Sequence, residues 1–213
     1  MAASPWPVIH AEREALAADL APLDGAQWTT QSLCDEWSVR EVLGHMTATA
    51  KMTPMRFFAQ LAGAGFRFSV MTSRDISRET AGTPGDTLAE FRRTMPATSH
   101  PPGPVDTMLG EVIIHSEDIR RPLGLRHDYP PAAVTRAADF FKGSNLLIGS
   151  KRRIAGLRLR ATDADWGTGS GPEVSGPVLS LLLAMTGRAQ ALDDLSGDGL
   201  ATLRSRSGPG AHG

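Results

Sequence analysis

The chain has 213 residues, 41% hydrophobic and 21% charged, the balance of a globular protein with room for one large domain or one medium and one small. Its 22 basic and 23 acidic residues leave a formal net charge of -1 and no long single-sign run, which argues against nucleic acid as a partner. The apolar stretch 177–186 is too short to cross a membrane, Glu12, Arg13 and Glu14 stand where a signal peptide needs apolar residues, and the single Cys34 excludes intrachain disulfides and multi-cysteine metal sites, so the expected location is the cytoplasm, without membrane attachment.

In chain order, Ile9, Leu16 and Leu20 recur at helical spacing over 7–20, and the turn at 22–25 ends that helix. A second helix starts at Ser38, whose hydroxyl and Glu41 form the pattern of a capping box, and runs through Val42, Leu43, Met46 and Thr49 toward an interruption at Pro54. Between 63 and 85 helical spacing fades, and Phe66, Phe68 and Val70 alternate with polar residues, which predicts a long irregular connection. Leu88, Phe91 and Met95 restore the helical period until the prolines at 96 and 101–104. The next helix, 105–120, carries Met108, Leu109, Val112, Ile113, Ser116 and Ile119 on one arc, with Pro122 and Gly124 as its stop, and another follows over 131–142. Helices of this length joined by short links predict an antiparallel bundle.

After Gly143 the pattern changes. Residues 157–162 alternate apolar and polar as a half-buried strand does, a second strand fits within 171–176, and Pro177 opens an apolar helix that Gly187 stops. The glycine-rich 167–171 lacks the lysine of a phosphate loop and reads as a turn between strands. The expected organisation is a mainly α chain: a helical bundle over 1–145, a small α+β domain over 146–206, and a disordered tail at 207–213.

The helix 105–120 holds the chemistry. Glu111 and His115 are four residues apart, and with Asp118 they line one edge of the apolar arc, facing a groove between helices. His45 occupies a comparable edge on the earlier helix and supplies a third ligand. Two imidazoles and a carboxylate suit zinc and leave a position open for water or substrate, although iron, nickel or manganese fits the same ligand types. Asp118, one turn beyond His115, is placed to orient that histidine or a bound substrate, or else to balance Arg121 or Arg40. Arg121 is the candidate for contact with a cofactor or acidic substrate, with Arg120 beside it, although cations are favoured at a helix C-terminus in any case. Cys34 reads as a small buried hydrophobe instead of a nucleophile, Trp28 and Trp37 as packing at the entry to the second helix, and His100, His127 and His212 as loop or tail residues without a role.

The block Trp28-Thr29-Thr30-Gln31-Ser32-Leu33-Cys34-Asp35-Glu36-Trp37-Ser38-Val39-Arg40-Glu41-Val42-Leu43-Gly44-His45, followed later by Glu111-Val112-Ile113-Ile114-His115-Ser116-Glu117-Asp118-Ile119-Arg120-Arg121-Pro122-Leu123-Gly124, resembles the mycothiol-dependent maleylpyruvate isomerase family. Gly171-Pro172-Glu173-Val174-Ser175-Gly176-Pro177, Thr186-Gly187-Arg188 and Leu195-Ser196-Gly197-Asp198-Gly199 extend the resemblance, which is poorest over 63–104. It implies a DinB-like four-helix bundle with a divalent metal, usually zinc, on His45, Glu111 and His115. It also implies mycothiol as cosubstrate, its thiol held at the metal as the thiolate. That thiolate attacks a small electrophile, giving either S-transfer or cis-trans isomerisation. A metal-dependent hydrolase using bound water and a non-catalytic metal-binding protein are the alternatives, and the chain is expected to act as a monomer or homodimer.

Overall fold

The structure is a computed structural model that describes residues 3–34, 36–145 and 148–207. It divides into two compact units, 1–127 and 128–213. In the first, α1 (Trp6–Leu20), α2 (Gly25–Trp28), α3 (Val39–Ala50), α4 (Pro54–Gly63), α5 (Phe68–Glu79), α6 (Pro84–Thr94) and α7 (Asp106–Arg120) follow in order. α1 packs against α6 and α7, and α3 packs against the same two helices, so these four close a ring. Its core contains Leu16 and Leu20 of α1, Leu43 and Met46 of α3, Phe91 of α6, and Met108, Leu109 and Ile113 of α7, all nearly or wholly shielded from solvent. Each such side chain contributes about 1.5–3 kcal/mol of burial energy.

Local signals place the helices. Ser38 and Glu41 form a reciprocal cap on α3: the hydroxyl accepts from the Glu41 amide, and the Glu41 carboxylate accepts from the Ser38 amide at 2.8 Å. The interruption expected at Pro54 falls after Ala50, because Thr53 caps a new helix with Pro54 in its first turn. Gly44 lets α3 approach α5, since a Cβ there would lie 2.8 Å from the Thr80 methyl.

The irregular connection expected over 63–85 is instead mostly helical. α5 occupies 68–79 and was hidden because its buried stripe, Met71, Thr72, Asp75 and Ile76, is half polar. The chain enters it through Gly65 and Phe66, both at positive φ.

In the second unit, α8 (Pro131–Lys142) and α9 (Ser150–Arg153) precede the sheet strands β1 (Arg158–Ala161), β2 (Gly167–Gly169) and β3 (Glu173–Gly176). α10 (Val178–Met185), a 3-10 helix (Ala189–Asp194) and α11 (Leu200–Ser205) complete the unit. The strand order is β2-β1-β3, with β1 antiparallel to β2 and parallel to β3, and Leu159 opposite both Thr168 and Val174. The glycine-rich 167–171, read as a turn, therefore supplies a strand. Gly169, at φ +78°, has no room for a Cβ, which would lie 2.1 Å from the Leu157 carbonyl oxygen.

α8, assigned from sequence to the bundle, groups with the second unit, where it packs on α10. α10 is apolar on nearly every side, and α8, β1 and β3 supply its cover. The division between units thus falls after 127, ahead of the expected 145. Of the expected tail, Ser207 is buried and its hydroxyl donates to the Leu203 carbonyl, while 208–213 lie outside the described residues. No helix among the described residues is long and apolar enough to cross a membrane.

Candidate metal centre

α3 and α7 pack together and bring His45 against His115, with ring centroids 4.9 Å apart and the rings edge-on at 76°. The Trp37 ring lies 4.9 Å from His45 and 6.4 Å from His115, closing one side of the pair. Trp37 is thus part of the site's wall, whereas Trp28 is the packing residue expected.

On α7, His115 Nδ1 lies 2.8 Å from Asp118 Oδ2, and the Asp118 side chain is wholly buried. This bond engages Nδ1, so a metal bond from this ring would be made through Nε2. Burial alone would push the imidazolium toward the neutral form, but the Asp118 hydrogen bond and the adjacent Cys34 outweigh it and hold the pKa up to about 10.

Glu111, one turn before His115, has both carboxylate oxygens buried without a hydrogen-bond partner. Burial pushes its pKa up, opposed by the positive charge of His115 and Arg13. Arg13 donates from Nη1 to the Met95 and Ala97 carbonyls, while its buried Nη2 also lacks a partner. A carboxylate taken out of water with nothing to bond is costly unless a cation meets it. This is the observation that fits a metal: a buried carboxylate without a hydrogen-bond partner, one helical turn from a histidine that packs against a second histidine.

The structure adds Cys34, which sequence reasoning treated as a core hydrophobe. Its Sγ donates to Asp118 Oδ2 at 3.0 Å and lies 3.9 Å from His115 Nδ1. Among the described residues, Cys34, His115 and Asp118 are the group whose donor atoms fall within 4.8 Å of one another; His45 and Glu111 are not in it, so closing them on one ion with His115 takes side-chain rotation. The 2.8 and 3.0 Å spacings are hydrogen-bond lengths, whereas ligands on a tetrahedral zinc stand roughly 3.3–3.7 Å apart. The Nδ1 side of His115 is therefore a hydrogen-bond network. The available sequence signal for Cys34 was its place in the same block that supplies His45.

Of the remaining candidates, Arg121 Nε pairs with Glu117 at 2.9 Å. Arg120 is wholly buried and pairs with Asp19 at 2.7 Å, which removes it as a contact for substrate. Arg40 bonds the Thr80 carbonyl and the Thr87 hydroxyl, while Asp118 Oδ2 is met by His115 and Cys34. His127 bonds Glu12 and His100 the Pro101 carbonyl; His212 lies outside the described residues.

Residues 9–102 match the family model described as the mycothiol maleylpyruvate isomerase N-terminal domain. The match includes His45 and the stretch after 63 where the sequence resemblance was poorest, and it ends before α7. Among curated proteins, none matches this chain. Two solved structures share its fold. One, of a histidine-to-alanine mutant of the mycothiol-dependent maleylpyruvate isomerase, has a TM-score of 0.61 at 14% identity and covers 91% of each chain. The other, of the mycothiol-dependent maleylpyruvate isomerase, has a TM-score of 0.57 at 11% identity with the same coverage. Residues 9–102 are thus similar in sequence to that N-terminal domain, and the chain shares its fold with the two solved structures.

Proposed function

We propose that the protein is a divalent-metal enzyme that uses mycothiol as a thiol cosubstrate on a small electrophile, with His45, Glu111 and His115 as metal ligands. The observation that carries this reading is the buried Glu111 carboxylate, without a hydrogen-bond partner among the described residues, one helical turn from His115, whose ring packs against His45. A divalent ion there, zinc by its preference for nitrogen and carboxylate ligands, supplies stabilisation of a thiolate over a thiol at neutral pH.

The protein's own residues do the rest. Asp118, hydrogen-bonded to Nδ1 of His115, would hold that ring so that Nε2 is the nitrogen offered to a metal. Glu111 would contribute an anionic oxygen; its burial raises its pKa, with Arg13 opposing that shift. Trp37 covers the His45 ring and limits water at that edge. Arg121, already paired with Glu117, remains the candidate for a contact to cosubstrate or to an acidic substrate. The resemblance to the mycothiol maleylpyruvate isomerase N-terminal domain favours isomerisation of a cis double bond over S-transfer: thiolate addition turns the double bond into a single one, rotation follows about it, and elimination re-forms the double bond and expels the thiolate. A reduced small thiol as cosubstrate places the activity in the cytoplasm.

Single-turnover measurements at matched metal occupancy test the reading. Turnover should require mycothiol and fall sharply with a bare small thiol, which lacks the binding energy that positions sulfur. Equal rates without thiol, with a hydrolysis product, would assign the nucleophile to water instead.

A further inference from the structure

We infer that Cys34 is a positioning residue for the metal centre, acting through Asp118 on His115; this rests on the metal reading above. Asp118 Oδ2 receives two donors, the Cys34 thiol at 3.0 Å and His115 Nδ1 at 2.8 Å. Two hydrogen bonds converging on one oxygen fix the carboxylate's rotation, and Asp118 is wholly buried, so water cannot take the place of either donor. The main chain repeats the attachment. The Leu33 amide donates to the Asp118 carbonyl at 3.0 Å, so neighbouring residues of one loop hold both the backbone and the side chain of the same aspartate.

The loop is itself internally braced. The Cys34 amide donates to Ser32 Oγ at 3.0 Å, the Trp37 amide donates to the Cys34 carbonyl at 3.0 Å, and Gln31 Nε2 donates to the Cys34 and Trp37 carbonyls at 2.8 and 2.9 Å. It therefore sets Trp37 against His45 while Cys34 sets Asp118 against His115, which couples the orientation of ligands on two different helices. Independently of these bonds, the Glu111 carboxylate, without a hydrogen-bond partner among the described residues, marks the place where a cation is expected, one helical turn before the histidine that Cys34 steadies. The thiol's short contact to a carboxylate oxygen gives it the role of donor, which a serine hydroxyl can also fill and an alanine cannot.

The test uses the full chain stripped of metal and titrated with cobalt(II) alone, reading the visible spectrum and the affinity against a competing chelator. Loss of an outer hydrogen-bond partner weakens metal binding about 10–100-fold, and a thiol is a weak donor, so Cys34→Ala is expected at the lower end, about tenfold. Cys34→Ser should recover most of that loss, which simple removal of a packed side chain would not predict. Thermal unfolding of the metal-free variants confirms that each is folded, and the serine variant carries the test if alanine is not. Equal affinity in wild type and Cys34→Ala, or a serine variant as impaired as alanine, overturns the positioning role. So does a sulfur-to-cobalt absorption band without added thiol that disappears in Cys34→Ala, which would make Cys34 a ligand. A wild-type protein that takes up no cobalt refutes the metal reading itself, and is told apart from the other outcomes by that observation.

Discussion

Replacing Asp118 with asparagine preserves shape and removes charge, which isolates the electrostatic part of the His115–Asp118 contact in the metal-free protein. His115 has an ordinary pKa of 6.5 and is held up to about 10 in the fold, with its side chain only 15% exposed. A group whose folded pKa is raised stabilises the fold fully below its unfolded pKa and loses that contribution as pH rises through the folded value. At pH 7 about three of those pH units remain, so the Asp118 and Cys34 contacts together contribute up to about 4 kcal/mol, at about 1.4 kcal/mol per unit, with Asp118 the largest of the raising causes. Asp118→Asn should therefore be less stable than wild type by up to about 4 kcal/mol near pH 7, and the gap should close steadily toward zero above pH 10. Urea unfolding followed by tryptophan fluorescence, on chelator-treated protein between pH 6 and 10.5, measures this. A gap independent of pH would show that Asp118 acts by packing or neutral hydrogen bonding, and the argument from charge would fail.

Glu111→Gln should act in the opposite sense. The carboxylate is buried without a partner and its pKa is raised by burial, so it costs stability above its unfolded pKa and costs less as pH falls. The amide should stabilise the metal-free protein by about 1 kcal/mol at pH 7 while weakening metal uptake, and calorimetry with metal analysis reads both effects. In the second unit, Gly169→Ala places a Cβ 2.1 Å from the Leu157 carbonyl oxygen at φ +78° and should cost about 3 kcal/mol or more. Denaturant unfolding would show that loss, and metal uptake by the folded variant should be unchanged because no candidate ligand lies in that unit.

The sequence made the bundle legible where local chemistry speaks for itself. The Ser38 and Glu41 pair marks the start of α3, and the apolar arc of α7 marks both a core face and the edge that carries Glu111, His115 and Asp118. It concealed α5 because Thr72 and Asp75 share the buried stripe with Met71 and Ile76, so apolar periodicity was broken where packing was not. It also misplaced α8, since a helical repeat shows that a helix has a buried face but not which neighbour covers it. Cys34 was missed for a related reason. Its partner Asp118 lies 84 positions away, and spacing along one helix cannot register a contact made by a loop from elsewhere in the chain.

The central claim is that this chain holds a divalent ion with a position open to an external thiol. Mycothiol titrated into the cobalt-loaded wild-type protein should produce a sulfur-to-cobalt absorption band that saturates at one thiol per metal, and His115→Ala, having lost the ion, should give none. If cobalt is bound at His45, Glu111 and His115 and mycothiol leaves its spectrum unchanged, the site does not accept the thiol, and the proposed chemistry is wrong.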